Sequence, residues 1–258
     1  VALNPVSSIF YWPVDDPNWK FTAWYPATEN PTSSSTAPSS ITVASDQSAL
    51  DASVYENYDL LYCQSTDATF WQTVPLVFHH QMARIIVIIN SDGTEGKETD
   101  GVRKKEKVEK VALGGTNRLG LSGSITTPST DGTNGSTVWS VETQESNITM
   151  RTLDSKTNAS NNLYAFECIL PPQKDETADK ALIDITTSGA ENYQHQEITR
   201  TYTYKSAFDY KAGYQYTYNL SISEQGTVTL DQVKVEGWDA TVVNVNNDAV
   251  YPGNNYPE

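Results

Sequence analysis

The 258-residue chain holds only two cysteines, Cys63 and Cys168, and three histidines, His79, His80 and His195. Two cysteines cannot build a disulfide framework, so both are expected as buried free thiols. Neighbouring strand residues point to opposite faces, so His79 and His80 cannot enter one site. No further ligand stands near them at zinc spacing, so no metal centre is expected; one satisfied and one exposed histidine is the reading. Basic residues are also scarce: 17 against 32 acidic ones gives a net charge of −15. Such a surface repels phosphate backbones and argues against nucleic acid as a partner. The longest apolar run, Ile85 to Ile89, falls far short of the roughly 18 residues a membrane helix needs.

Motifs of catalysis are missing as well. The chain has no Gly-x-Ser-x-Gly elbow, no phosphate-binding loop and no His-Glu-x-x-His pair. Carboxylates are plentiful, but no two stand out as a glycosidase pair. Asp92 to Asp100 is rich in acids and glycine without the Asp-x-Asp-x-Asp-Gly order of a calcium loop, so a solvated hairpin tip is expected there. The one basic cluster, Arg103, Lys104, Lys105, Lys107 and Lys110, alternates with Glu106 and Glu109 and reads as a solvated face. No enzyme activity, cofactor or metal is expected.

What the sequence does have is period-two alternation. Tyr214, Tyr216, Tyr218, Leu220 and Ile222 alternate with polar residues, as a half-buried strand requires. Upstream, Ile198, Tyr202 and Tyr204 alternate with threonines. Val228 and Leu230 stand on even positions and Val233 and Val235 on odd ones, which predicts a bulge near Asp231–Gln232. Gly237, before Trp238, is a second place where a face can change. In the first half, Phe21, Ala23 and Tyr25, then Leu60 to Cys63, then Val74, Leu76 and Phe78 read as short strands. Ile85 to Ile89 is apolar and β-branched on both faces, as in a central covered strand. Asp92-Gly93, Asp100-Gly101, Gly114-Gly115, Asp131-Gly132 and Asn134-Gly135 supply turns. Val102 to Leu113 reads either as a helix or as a strand edged with lysines.

These signals predict an all-β sandwich architecture. Thr28 to Ser40 and Thr126 to Thr137 have loop composition. A cut at the second predicts two domains, 1–130 and 131–258. Six tyrosines (202, 204, 210, 214, 216 and 218) fall within 17 residues. Their alternation with Thr, Gln and Asn favours a packed core over a sugar-stacking platform. Trp12, Trp19 and Trp24 are less regular, and one of them is a candidate for ligand contact.

Several segments, in order, resemble the fimbrillin family of Bacteroidales, the subunits of type V pili. They are FTAWYP (Phe21 to Pro26), Asp46-Gln47, Tyr58-Asp59-Leu60-Leu61-Tyr62, and Val74-x-Leu76-x-Phe78-x-His80-x-Met82-Ala83-Arg84-Ile85. Further on come Val108-x-x-Val111-x-Leu113-x-Gly115 with Gly120, Ile169-Leu170-Pro171-Pro172-Gln173, Lys211-Ala212-Gly213-x-x-Tyr216-x-Tyr218-x-Leu220, and Val233-x-Val235-x-x-Trp238. Pro172 and Met82 depart from the family's usual Leu-Pro-Gln and Leu. The resemblance covers almost the whole chain. It implies two tandem transthyretin-like Greek-key β-sandwiches, exported as a lipoprotein to the outer membrane and displayed in a cell-surface fimbrium. It also implies proteolytic removal of an N-terminal strand, with Val1 as the cleavage-exposed end, and completion of the groove by a strand from a neighbouring subunit. The partners expected are other fimbrial subunits, and a host glycan or protein if the subunit is adhesive.

The candidate donor strand is Thr241, Val242, Val243, Asn244 and Val245, whose Val243 and Val245 stand two apart. The same segment also reads as the last strand of its own C-terminal domain. A stalk, a tip and an anchor subunit all fit the sequence. The alternative reading is a glycan-binding β-sandwich lipoprotein using exposed Trp and Tyr.

Overall fold

The computed structural model describes residues 20–26, 40–65, 67, 74–99, 102–115, 117–128, 137–142, 145–238 and 241–245. Nearly all regular structure is strand. The first stretch gives β1 (Thr22–Tyr25), β2 (Ser40–Thr42), a one-turn helix α1 (Ala52–Glu56), β3 (Leu61–Gln64), β4 (Val74–His80) and β5 (Ala83–Asn90). The middle gives β6 (Glu98–Thr99), β7 (Val102–Arg103), β8 (Lys107–Leu113), β9 (Ser122–Thr127), β10 (Val138–Val141), β11 (Ile148–Thr149) and β12 (Arg151–Thr152). There follow β13 (Leu163–Leu170), β14 (Gln173–Asp175), β15 (Ala181–Glu191), β16 (Glu197–Lys205) and β17 (Phe208–Tyr210). The last are β18 (Tyr214–Ile222), β19 (Val228–Gly237) and β20 (Thr241–Val245).

Two sheets form the large sandwich, in the orders β11-β8-β15-β16 and β12-β13-β5-β18-β19. β5 is central because its side chains demand cover on both faces: Ile85, Val87 and Ile89 are fully buried, and so is Ile86 on the other side. It runs antiparallel to β13 and parallel to β18. The inward faces of both sheets merge in one hydrophobic cluster, including Val111 and Leu113 from β8, Phe166 and Leu170 from β13, and Ile183 and Ile185 from β15. The tyrosine stripe is part of that core. Tyr202, Tyr210, Tyr216 and Tyr218 are buried. The Tyr210 and Tyr218 hydroxyls lie 3.2 Å apart, and Lys211 N donates to the Tyr216 hydroxyl at 2.9 Å. Burial raises the pKa of all three phenols, that of Tyr218 to about 12.

The bulge expected near Asp231 is present: Asn219 pairs with Gln232 and Leu220 with Leu230, so Asp231 is the extra residue. A second bulge resolves the segment Val102 to Leu113, which is strand throughout β7 and β8. Thr186 pairs with Lys110 and Thr187 with Val108, leaving Glu109 as the extra residue. That bulge lets Val108 and Val111, three apart, both turn inward, a spacing that a plain strand does not provide.

A smaller sheet, β1-β3-β4-β20, encloses a separate cluster of Cys63, Val74, Leu76 and Phe78. A three-stranded sheet, β10-β9-β2, contributes Ile41, Ile125 and Trp139 to the edge of the large core. The division expected at residue 130 does not coincide with these sheets. β5 and β8 lie before it yet pair with β13, β18 and β15, which lie after it. Loop composition marks exposed backbone, whereas sheet membership follows from which apolar faces need each other. Cys63 and Cys168 are buried and free, in different clusters. Burial pushes both thiols up in pKa.

Candidate functional site: the β4 edge and its strand

β4 (VPLVFHH) alternates strictly, with Val74, Leu76, Phe78 and His80 buried and Pro75 and Val77 exposed. On one side β3 reaches only His79 and His80. On the other side β20 runs antiparallel along the rest, from Thr241 opposite Phe78 to Val245 opposite Val74. Among the described residues, β20 is therefore the only strand paired with Val74–Phe78. Without it, five residues of sheet edge lose their backbone partners.

Trp238 sets where the chain leaves the large sandwich. Gly213 has φ +72, a backbone state that L side chains rarely adopt. Its N–H donates to Met82 O at 2.9 Å, and its carbonyl accepts Trp238 N–H at 2.7 Å. The Trp238 indole stacks on the His80 imidazole, with centroids 3.9 Å apart and planes 3° from parallel. His80 Nδ1 lies 2.6 Å from Asp59 Oδ1, and the Arg84 guanidinium carbon is 5.7 Å from the Trp238 ring centroid. Arg84 donates from Nε and Nη2 to Glu167 Oε2 and from Nη1 to Gln215 Oε1. The stack thus joins β4, β5, β13 and β18 at the point from which β20 departs.

The expected donor strand, Thr241 to Val245, is placed against β4 of its own chain, in the sheet of the first half rather than beside β19. Val1, Trp12 and Trp19 lie outside the described residues. Trp24 is half-buried, in register with Tyr62. His79 and His80 do face opposite ways; His80 is buried and partnered, and His79 is half-buried. The acceptor edge Val74–Phe78 was not singled out as a site from sequence, although its alternation was visible.

The two glutamines of the resemblance motifs have structural roles. Gln47 is fully buried; its Nε2 donates to Ile169 O at 2.8 Å and its Oε1 accepts Ile169 N–H at 3.1 Å. Gln173 does the same to Gly120, at 3.0 and 2.9 Å. A carboxamide can imitate a peptide group in this way because it carries donor and acceptor side by side.

Glu106 departs from its expected solvated face. It is fully buried and accepts from the Tyr202 hydroxyl, Thr187 Oγ1 and Arg200 Nη1, while its N–H donates to Thr94 Oγ1. Arg118 is another buried charge. It donates from Nε to Asp175 Oδ2 at 2.8 Å and to the carbonyls of Thr177, Lys180, Ala181 and Ser206. The Arg118 guanidinium beside Asp175, helped by Thr177, holds its carboxyl well below the usual carboxylate range. A depressed folded pKa means stability that is present above the unfolded value and lost as pH falls toward the folded one. Thermal midpoints are therefore expected to fall from pH 5 to pH 2.5, and to fall less steeply in Asp175→Asn. Parallel profiles for the two proteins would deny Asp175 this role.

Comparison with known proteins places these features in a family. The chain belongs to the fimbrillin-like family, whose match runs over residues 2–238. A putative cell adhesion protein from Bacteroides uniformis superimposes with a TM-score of 0.51 at 20% identity, covering 89% of this chain and 76% of that one. Another from Bacteroides ovatus gives 0.54 at 18% identity, covering 86% and 68%. At such identities the likeness is one of fold. No curated protein matches the chain.

Proposed function

We propose that this chain is a structural or adhesive subunit of a cell-surface fimbrium, and that it polymerises by exchanging β20. Membership of the fimbrillin-like family supports the pilus reading. One observation carries the exchange: β20 follows β19 in sequence yet adds to β4, far upstream. The antiparallel register that β20 finds on its own β4 is equally available on the β4 of a second copy. Backbone hydrogen bonds then supply affinity, and alternate side chains supply register. Exchange replaces an intramolecular strand by an identical intermolecular one, so its net cost is small and growth needs only a vacated edge. Removal of an N-terminal strand, the maturation step implied by the resemblance, would precede exchange. In this reading the subunit is exported and tethered through a lipid on its precursor, and no helix of the described residues is long and apolar enough to cross a membrane.

Paired cysteines test the proposal. Val242 stands opposite Val77 in the β4–β20 register, and facing Cα atoms on antiparallel strands lie within disulfide reach. Val77→Cys and Val242→Cys, placed on separate copies and mixed under polymerising conditions, are expected to give a covalent dimer on oxidation. Both changes in one chain should lock the strand internally and block growth until reduced. Absence of the mixed dimer, with polymer still forming, would remove β20 as the exchanged strand.

A further inference from the structure

The end of the large sandwich remote from Trp238 carries a feature that strand exchange does not use. β5 rises six residues from Arg84 to Asn90, which sets the two ends about 20 Å apart. There the β15–β16 hairpin turns over Asn192 to Gln196. Asn192 Oδ1 accepts the amides of Gln194 and Gln196, His195 N donates to Asn192 O, and His195 Nδ1 lies 2.9 Å from Glu191 Oε1. The turn is tied by its own bonds, and Tyr193 at its tip is left 90% exposed, the most exposed large hydrophobic side chain among the described residues.

Beside Tyr193 opens a cavity of about 350 Å³, walled by this hairpin, the turn after β5 and the β18–β19 turn. Its volume is at the lower end of small-molecule sites. Arg200 forms part of the wall, held in place by Glu106 Oε1 at 2.8 Å and still 40% exposed at its side chain. Glu191 and Glu224 border the opening together with Glu95. The wall therefore presents fixed guanidinium donors beside carboxylate acceptors, with an aromatic face at the rim.

Hydroxyl groups that both donate and accept suit such a wall, and the C–H face of a sugar ring suits an exposed tyrosine. The three carboxylates disfavour an anionic ligand, and Arg200 is already paired with Glu106. Among the described residues no group of side chains could hold a metal ion. We infer that this cavity binds a neutral saccharide, stacked on Tyr193 and hydrogen-bonded by Arg200, Glu191 and Glu224.

Titration calorimetry on the full chain tests the inference with lactose, N-acetyllactosamine, maltotriose and chitotriose, and with sialyllactose and trilysine as anionic and cationic comparators. At least one neutral glycan is expected to saturate the protein, about tenfold more weakly in Tyr193→Ala and weakened also in Glu224→Gln. Tyr193 is so exposed that Tyr193→Ala should keep the parent's thermal midpoint and its polymerisation, so sugar binding and strand exchange are read separately. No neutral glycan bound at roughly 10 mM, affinity unchanged in Tyr193→Ala, or saturation by trilysine or sialyllactose instead would each overturn the assignment.

Discussion

Truncation after Asp239 is expected to give a subunit that accepts a strand but donates none. Mixed with full-length protein, it should enter a growing polymer once and stop it there. Mean filament length, read by electron microscopy or sedimentation, should then fall as the truncated fraction rises. The isolated truncated chain should also be less stable, because Val74, Leu76 and Phe78, each less than 10% exposed, lose part of their cover along with a row of backbone partners. Partial exposure of three such side chains costs on the order of 2–4 kcal/mol. For a chain of this length that lowers the thermal midpoint by roughly 5–15 °C. A synthetic peptide spanning residues 240–247 should restore most of the loss by occupying the same edge. Filaments of normal length at every mixing ratio would leave β20 with no part in assembly.

The largest effect of a single substitution is expected at Glu106. Its carboxylate is fully buried and meets three donors, from Thr187, Arg200 and Tyr202. Glu106→Ala leaves that guanidinium and two hydroxyls facing a void, and breaking such a network costs about 3–5 kcal/mol. Glu106→Gln keeps the shape and one acceptor, and the two hydroxyls can rotate to accept from the new amide. Its cost should be only about 1–2 kcal/mol. Urea unfolding measures both, provided the slope of the transition is unchanged. A double-mutant cycle with Arg200→Ala should show coupling of at least about 1 kcal/mol between the two residues. Additive effects would mean that the pair acts as two independent side chains.

Much of this fold was readable because its cause is local. Apolar residues on alternate positions make β18 and β4, and an all-apolar run makes the covered strand β5. A parity change in the valines and leucine of β19 betrays Asp231 as a bulge. Glu106 was not readable: in sequence it stands among lysines, and only the partners brought to it by β15 and β16 remove it from water. The same holds for Val108 and Val111, whose odd spacing makes sense only once Thr186 and Thr187 lie opposite them. At the candidate site, Thr241 to Val245 could be recognised as a strand, but not its partner.

Composition and alternation by themselves determined that this is an acidic, all-β protein with free buried thiols and a tyrosine-rich core. They did so because backbone pleat and side-chain polarity act over a few residues. Tertiary structure alone decided that β5 and β8 join the sheets of the second half, that β20 closes the edge of β4, and that Tyr193 stands beside an open polar cavity. Those outcomes rest on pairings between segments far apart in the chain. The free energy of such a pairing depends on both surfaces at once, and neither segment carries it alone.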